Sequence, residues 1–127
     1  MKVGIKNQIK KTVSSDLTAK AMGSGRLDVF ATPAMVAMME EAAHTSVEAE
    51  LEEGQGTVGT SMTVSHLAAT PVGMEVTCES ELIEVDGRKL VFEIKAMDKA
   101  GLIGEAKHER FIIDSEKFLA KTKAKLK

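Results

Sequence analysis

Thr32, Glu40 and His66 carry the three side-chain types that together move protons and acyl groups. A hydroxyl can orient or attack, a carboxylate can serve as base or nucleophile, and an imidazole shuttles a proton near neutral pH. Each residue also has a plain structural reading. Thr32 precedes Pro33 and suits a helix cap, with proline in the first turn. Glu40 can face a polar rim or pair with a lysine. His66 can be a core histidine bonded to backbone. Gly59 interrupts a strand built of Thr, Val and Ser, which marks either close approach by a ligand or a bulge.

The element that must position Thr32 and Glu40 is a helix expected over 33–51. Its first two turns, Ala34 to Met39, are apolar nearly all round, which predicts a buried helix. Glu40 and Glu41 follow at once, and a carboxylate in such a setting is costly unless paired or used. Glu41 lies about 100° further round, so the two carboxylates differ in burial. Eight residues of helix hold Thr32 and Glu40 about 12 Å apart along the axis. The two therefore reach a shared site from different directions, and a pair of subunits is one way to arrange that.

The rest of the chain reads as strands. Residues 5–13 form a weak strand, and 14–27 a connection made flexible by Gly23-Ser24-Gly25. Gly54 is expected to cap the helix. The period then changes to alternation. Over 57–69, Val58, Thr60, Met62, Val64 and His66 fall on one face. Strands over 74–85, 88–97 and 102–113 follow, turned by Asp86-Gly87 and by Asp98-Lys99-Ala100-Gly101. Leu90, Phe92 and Ile94 share a face, as do Ile103, Phe111 and Ile113. The lysine-rich residues 115–127 read as a short solvated helix. The expected fold is α+β, a single domain over 1–127 in which a curved antiparallel sheet of about five strands wraps one central helix. One helix cannot cover such a sheet, so a two-fold dimer is expected.

Composition excludes several function classes. A net charge of −2 gives no electrostatic reason for nucleic acid, and four Phe with no Trp or Tyr offer few stacking platforms. No apolar run reaches the roughly 18 residues of a membrane span, and the N-terminus lacks the apolar stretch of a secretory signal. Cys78 stands alone, which predicts a reducing cytoplasm and a structural thiol. Eight Met read as adaptable core filling. His44 has metal-ligand spacing to Glu40 and Glu41, but no second His or Cys completes a set, so no metal is expected. His44 and His108 otherwise read as ordinary polar residues.

Phe30-Ala31-Thr32, the run MVAMMEEAA, TVGTSMTVSHLAATPVGM, the hairpin VDGRKL and the late GEAKHER resemble the fluoroacetyl-CoA thioesterase group of the hotdog thioesterases, over roughly residues 12–118. The resemblance implies a hotdog fold, a homodimer with tetramers open, and active sites at the subunit interface. It implies hydrolysis of a short acyl-CoA without a cofactor, coenzyme A being part of the substrate. Thr32, Glu40 and His66 match the family's catalytic residues. Gly59 matches the glycine whose backbone helps hold the thioester carbonyl, with Phe30 and Thr60 as further substrate contacts. Gly23 and Arg26 stand where the fluoroacetyl-specific enzyme carries two lid phenylalanines, so the implied substrate is a small acyl-CoA without assigned fluoroacetyl selectivity. A non-catalytic acyl-CoA or small-acid binder on the same fold is the competing reading. A hydratase or dehydratase ranks last, since its usual Asp/His pair is not evident.

Overall fold

The computed structural model describes residues 1–127. Five strands, β1 (Lys6–Thr12), β2 (Gln55–His66), β3 (Glu75–Asp86), β4 (Lys89–Asp98) and β5 (Gly101–Asp114), form one antiparallel sheet in the order β1-β3-β4-β5-β2. Helix α2 (Thr32–Ser46) lies on its inner face. Two short helices, α1 (Ala19–Met22) and α3 (Ser115–Lys123), flank it in sequence. No helix is long and apolar enough to cross a membrane.

The core is the seam between α2 and the inner sheet face. Met35, Met38, Met39, Ala42 and Ala43 from the helix meet Val76, Leu82, Leu90, Phe92, Ile94 and Ile103 from the sheet. Each large apolar side chain buried there contributes about 1.5–3 kcal/mol. Two polar side chains tie helix to sheet. The Asn7 amide donates to the Ala42 carbonyl and the Thr45 hydroxyl, and the Ser80 hydroxyl donates to the same Ala42 carbonyl.

Several sequence expectations need correction. The helix is shorter than 33–51, because Val47 closes it and a 3-10 turn over Glu48–Glu50 follows. Gly54 therefore does not cap the helix; its φ of +84° turns the chain into β2 instead. The helix is not buried all round either. Pro33, Ala37, Glu41 and Thr45 form an exposed stripe at four-residue spacing, because no strand of the chain lies over that side. The supposedly flexible residues 14–27 are folded. Ala19 and Lys20 donate their amides to Val29 and Leu27, and Gly23 ends α1 at φ +74°.

Bulges account for the misassigned strand faces. Gly59 pairs with Arg110 and Ser61 with Glu109, leaving Thr60 as the extra residue. Thr57 and Gly59 thus face the helix before the bulge, and Met62, Val64 and His66 after it. Val58 and Thr60 leave the expected face. A second irregularity leaves Ile103 unpaired between Ala96–Gly104 and Met97–Leu102. Ile103 is buried, but Phe111 and Ile113 turn outward, while Gly104, Ala106, His108 and Arg110 face in. One inserted residue exchanges the faces of everything beyond it.

Candidate active site

Two polar clusters sit along α2, one at its start and one near its middle. At the helix start, Thr32 Oγ1 lies 2.7 Å from His66 Nδ1. Thr32 is not the cap. That position is Ala31, and no side chain bonds across it. Thr32 occupies the first helical position, which frees its hydroxyl to reach the end of β2. Burial pushes the His66 imidazole below its usual value, with the Ala68 backbone opposing. A neutral His66 has two arrangements. The threonine hydroxyl donates to Nδ1 and leaves an Nε2–H unpaired, or Nδ1–H donates to the hydroxyl and leaves Nε2 a bare base. In both, Nε2 is buried without a hydrogen-bond partner. An unpaired buried polar atom costs about 1–3 kcal/mol, which makes Nε2 the uncompensated atom of the pair.

Near the middle of the helix, Glu40 points at the β2 bulge. A Cβ placed on Gly59 would stand 2.8 Å from Glu40 Oε2, 3.1 Å from His108 Cε1 and 3.2 Å from Arg110 Nη1. Arg110 Nη1 approaches Glu40 Oε2 at 3.5 Å. Glu40 is not enclosed by the apolar run that precedes it: its side chain is 42% exposed, against 8% for Arg110. The helix turns it toward β2, the strand at the edge of the sheet. Gly59 therefore serves both readings offered by the sequence, a bulge and a close approach.

The single chain does not bring Glu40 to Thr32 and His66. The seven residue steps along β2 from Gly59 to His66 span roughly 20 Å. Phe30 is only 2% exposed and belongs to the core. Thr60, the bulge residue, donates its hydroxyl to the Glu109 carbonyl on the neighbouring strand. His44 bonds Glu48 at 3.0 Å, and no three His, Cys, Asp or Glu side chains converge as a metal site would require. His108 and Arg110 were missed in the sequence. Their alternation with exposed Glu105 and Lys107 and half-buried Glu109 was the available signal, obscured by assigning Phe111 and Ile113 inward.

The sequence profile of the fluoroacetyl-CoA-specific thioesterase family, FlK, matches residues 13–116. The chain belongs to this family. Within the thioesterases, the fluoroacetyl-CoA thioesterase of Streptantibioticus cattleyicolor is 45% identical over 98 residues, 77% of this chain and 70% of that protein. A solved structure of the fluoroacetyl-CoA thioesterase FlK superposes with a TM-score of 0.93 at 37% identity, covering 98% of this chain and 97% of that one. A thioesterase superfamily member from Thermus thermophilus superposes at 0.88 with 27% identity, over 95% of this chain and 90% of the other. The helix-in-sheet arrangement is thus the hotdog fold of these thioesterases, and the protein is a thioesterase by family.

Proposed function

We propose that this hotdog thioesterase hydrolyses a short acyl-CoA with Thr32, Glu40 and His66, in sites shared between two protomers. The observation that carries the reading is the separation of Glu40 from a Thr32–His66 pair whose Nε2 has no partner. The two edges of the sheet suggest how they meet. β1 carries Lys6, Lys10 and Lys11, which discourage pairing, whereas β2 has no charged residue other than the titratable His66 at its end. Antiparallel pairing of two β2 edges about a two-fold at Thr63 sets the Gly59–Thr60 bulge opposite the partner's His66. Glu40 of one protomer then stands beside Thr32 and His66 of the other. The same contact would cover the open stripe of α2.

In this arrangement the thioester carbonyl lies over the start of α2 and the Gly59 backbone, where N–H groups stabilise a developing oxyanion. Glu40 takes a proton from water as the water oxygen attacks the carbonyl carbon. The tetrahedral intermediate collapses with cleavage of the C–S bond, and neutral His66 relays the proton taken up by Glu40 to the departing thiolate. The ring accepts at one nitrogen as it donates from the other, so both side chains return to their starting forms. Acid and free coenzyme A result. Thr32 orients His66. These side chains and water suffice, so no cofactor is called for, and coenzyme A enters only with the substrate. Gly23 and Arg26 offer no aromatic lid, which favours a small acyl group without fluoroacetyl selectivity. A free, buried Cys78 favours a reducing compartment such as the cytoplasm.

Mixing protomers tests the shared site. Glu40→Gln and His66→Ala proteins are each expected to lose thiol release from a panel of acyl-CoAs. Mixed after subunit exchange, they recover about a quarter of parental activity, because half the dimers are hybrid and each hybrid keeps one intact site. No recovery rejects the shared site. Full activity in either single variant rejects the residue assignment. Tight acyl-CoA binding by the parent without thiol release would favour a binding protein.

A further inference from the structure

Arg110 is a buried cation with a full set of anchors. Its Nε donates to Thr57 Oγ1 at 2.9 Å and its Nη2 to the Thr57 carbonyl at 3.0 Å. Its Nη1 donates to His108 Nε2 at 3.1 Å. His108 can accept there because its Nδ1–H is spent on the Ser61 carbonyl, at 2.8 Å. That assigns the neutral tautomer, since a protonated ring would set two cations against each other. Burial, the largest cause, holds the His108 imidazole below its usual value, and Arg110 adds to the effect. Burial also lowers Arg110, with Glu40 opposing.

One direction of the fork remains, and it faces Glu40 Oε2 at 3.5 Å. Other charged groups near Glu40 are Glu41 and His44 on its own helix, and His44 is turned to Glu48. Gly59 removes the side chain that would stand between the carboxylate and the Arg110–His108 pair. A buried guanidinium fixed by Thr57 on β2 and by His108 on its own strand, β5, is thus aimed at a half-exposed carboxylate. A cation retained only to complete the core would be expected to end in a closed pair, whereas this one ends at an opening.

We propose that Arg110, clamped by Thr57 and His108, is a positioning residue for Glu40, holding its carboxylate against Gly59 in the orientation that activates water. This rests on the assignment of Glu40 as the catalytic carboxylate. The guanidinium fork fixes direction as well as charge, which an ammonium at the same place does not.

The test is a double-mutant cycle on the full-length protein, with acyl-CoA turnover and circular dichroism as readouts. Arg110→Met is expected to lower kcat about 10- to 100-fold with KM changed less than about 3-fold, and Arg110→Lys to recover part of that loss. Added to Glu40→Gln, Arg110→Met is expected to cost nothing further, because the residue acts through the carboxylate already removed. Parental kcat in Arg110→Met, beside an inactive Glu40→Gln, overturns the proposal and leaves the function standing. An equal further loss in the Glu40→Gln background also overturns it. Full activity of Glu40→Gln overturns the functional assignment instead. Should Arg110→Met fail to fold, Thr57→Val decides: it removes one anchor, and a kcat loss of about 3- to 10-fold at unchanged KM is expected, parental kcat being the overturning result.

Discussion

Thr32 Oγ1 stands 2.7 Å from His66 Nδ1 across 34 residues of sequence, joining the first residue of α2 to the last residue of β2. That contact sets the direction of an imidazole whose far nitrogen has no partner. Thr32→Val keeps the side-chain shape and removes the hydroxyl. It is expected to lower kcat/KM about 10- to 100-fold, with Thr32→Ser within about 3-fold of the parent. Thr32 is exposed and caps nothing, so the stability cost should be that of its one side-chain hydrogen bond, about 0.5–1.5 kcal/mol. Acyl-CoA turnover and a denaturant titration check the two halves separately.

The pH profile follows from His66. Burial holds its folded-state value below the usual 6.5, so the ring stays neutral to lower pH than a free histidine. The acid limb of kcat/KM is expected to break below about 6.5, since that limb reports groups of the free enzyme. A break at or above that value would contradict a buried His66 acting as the base or proton shuttle.

Stability carries the same sign. His66 and His108 are both depressed in the folded state, chiefly by burial. The unfolded chain therefore binds protons first as pH falls. The stabilisation is fully present above the usual histidine value and is lost as pH falls through the depressed folded values. Melting temperature should decline between about pH 7 and pH 5, and His108→Asn should decline less steeply than the parent over that window.

Gly59→Ala probes the close approach without touching a charged group. The new Cβ would meet Glu40 Oε2 at 2.8 Å, too near for both to stay. The carboxylate is the flexible, half-exposed partner and must move. The expected result is a fall in kcat of about tenfold or more, with a lower melting temperature as well, because the clamped His108 and Arg110 would stand at 3.1 and 3.2 Å and must also give. An active enzyme with parental kcat would show that Glu40 need not sit against the bulge.

Cys78 offers a check on the assay as well as the fold. It is fully buried on β3, and burial pushes its thiol up to about 12. A disulfide reagent at neutral pH should find no protein thiol in the native state and one after unfolding. Thiol released in the turnover assay would then come from coenzyme A alone.

The sequence by itself determined the outline. A Gly- and Pro-free run behind Pro33 read as a helix, and the alternating stretches read as a meander of four strands. Only β3, β4 and β5 form one, since β2 crosses to pair with β5 instead of β3. Asp86-Gly87 produced the hairpin it promised, with Gly87 at φ +60°. Thr32, Glu40, Gly59 and His66 stood out by residue type, but the burial expected for Glu40 did not follow, since its side chain is 42% exposed. The tertiary structure decided which way side chains face and which of them meet. Bulges at Thr60 and Ile103 each shift a strand by one residue, and a period of two carries that shift to every position beyond. This turned Phe111 and Ile113 outward and Arg110 and His108 inward. Tertiary structure also made Thr32 a partner of His66 rather than a cap, and left Glu40 at an open edge beside Arg110. Contacts across 34 and 70 residues depend on how a sheet curves round a helix, and no local pattern encodes that curvature.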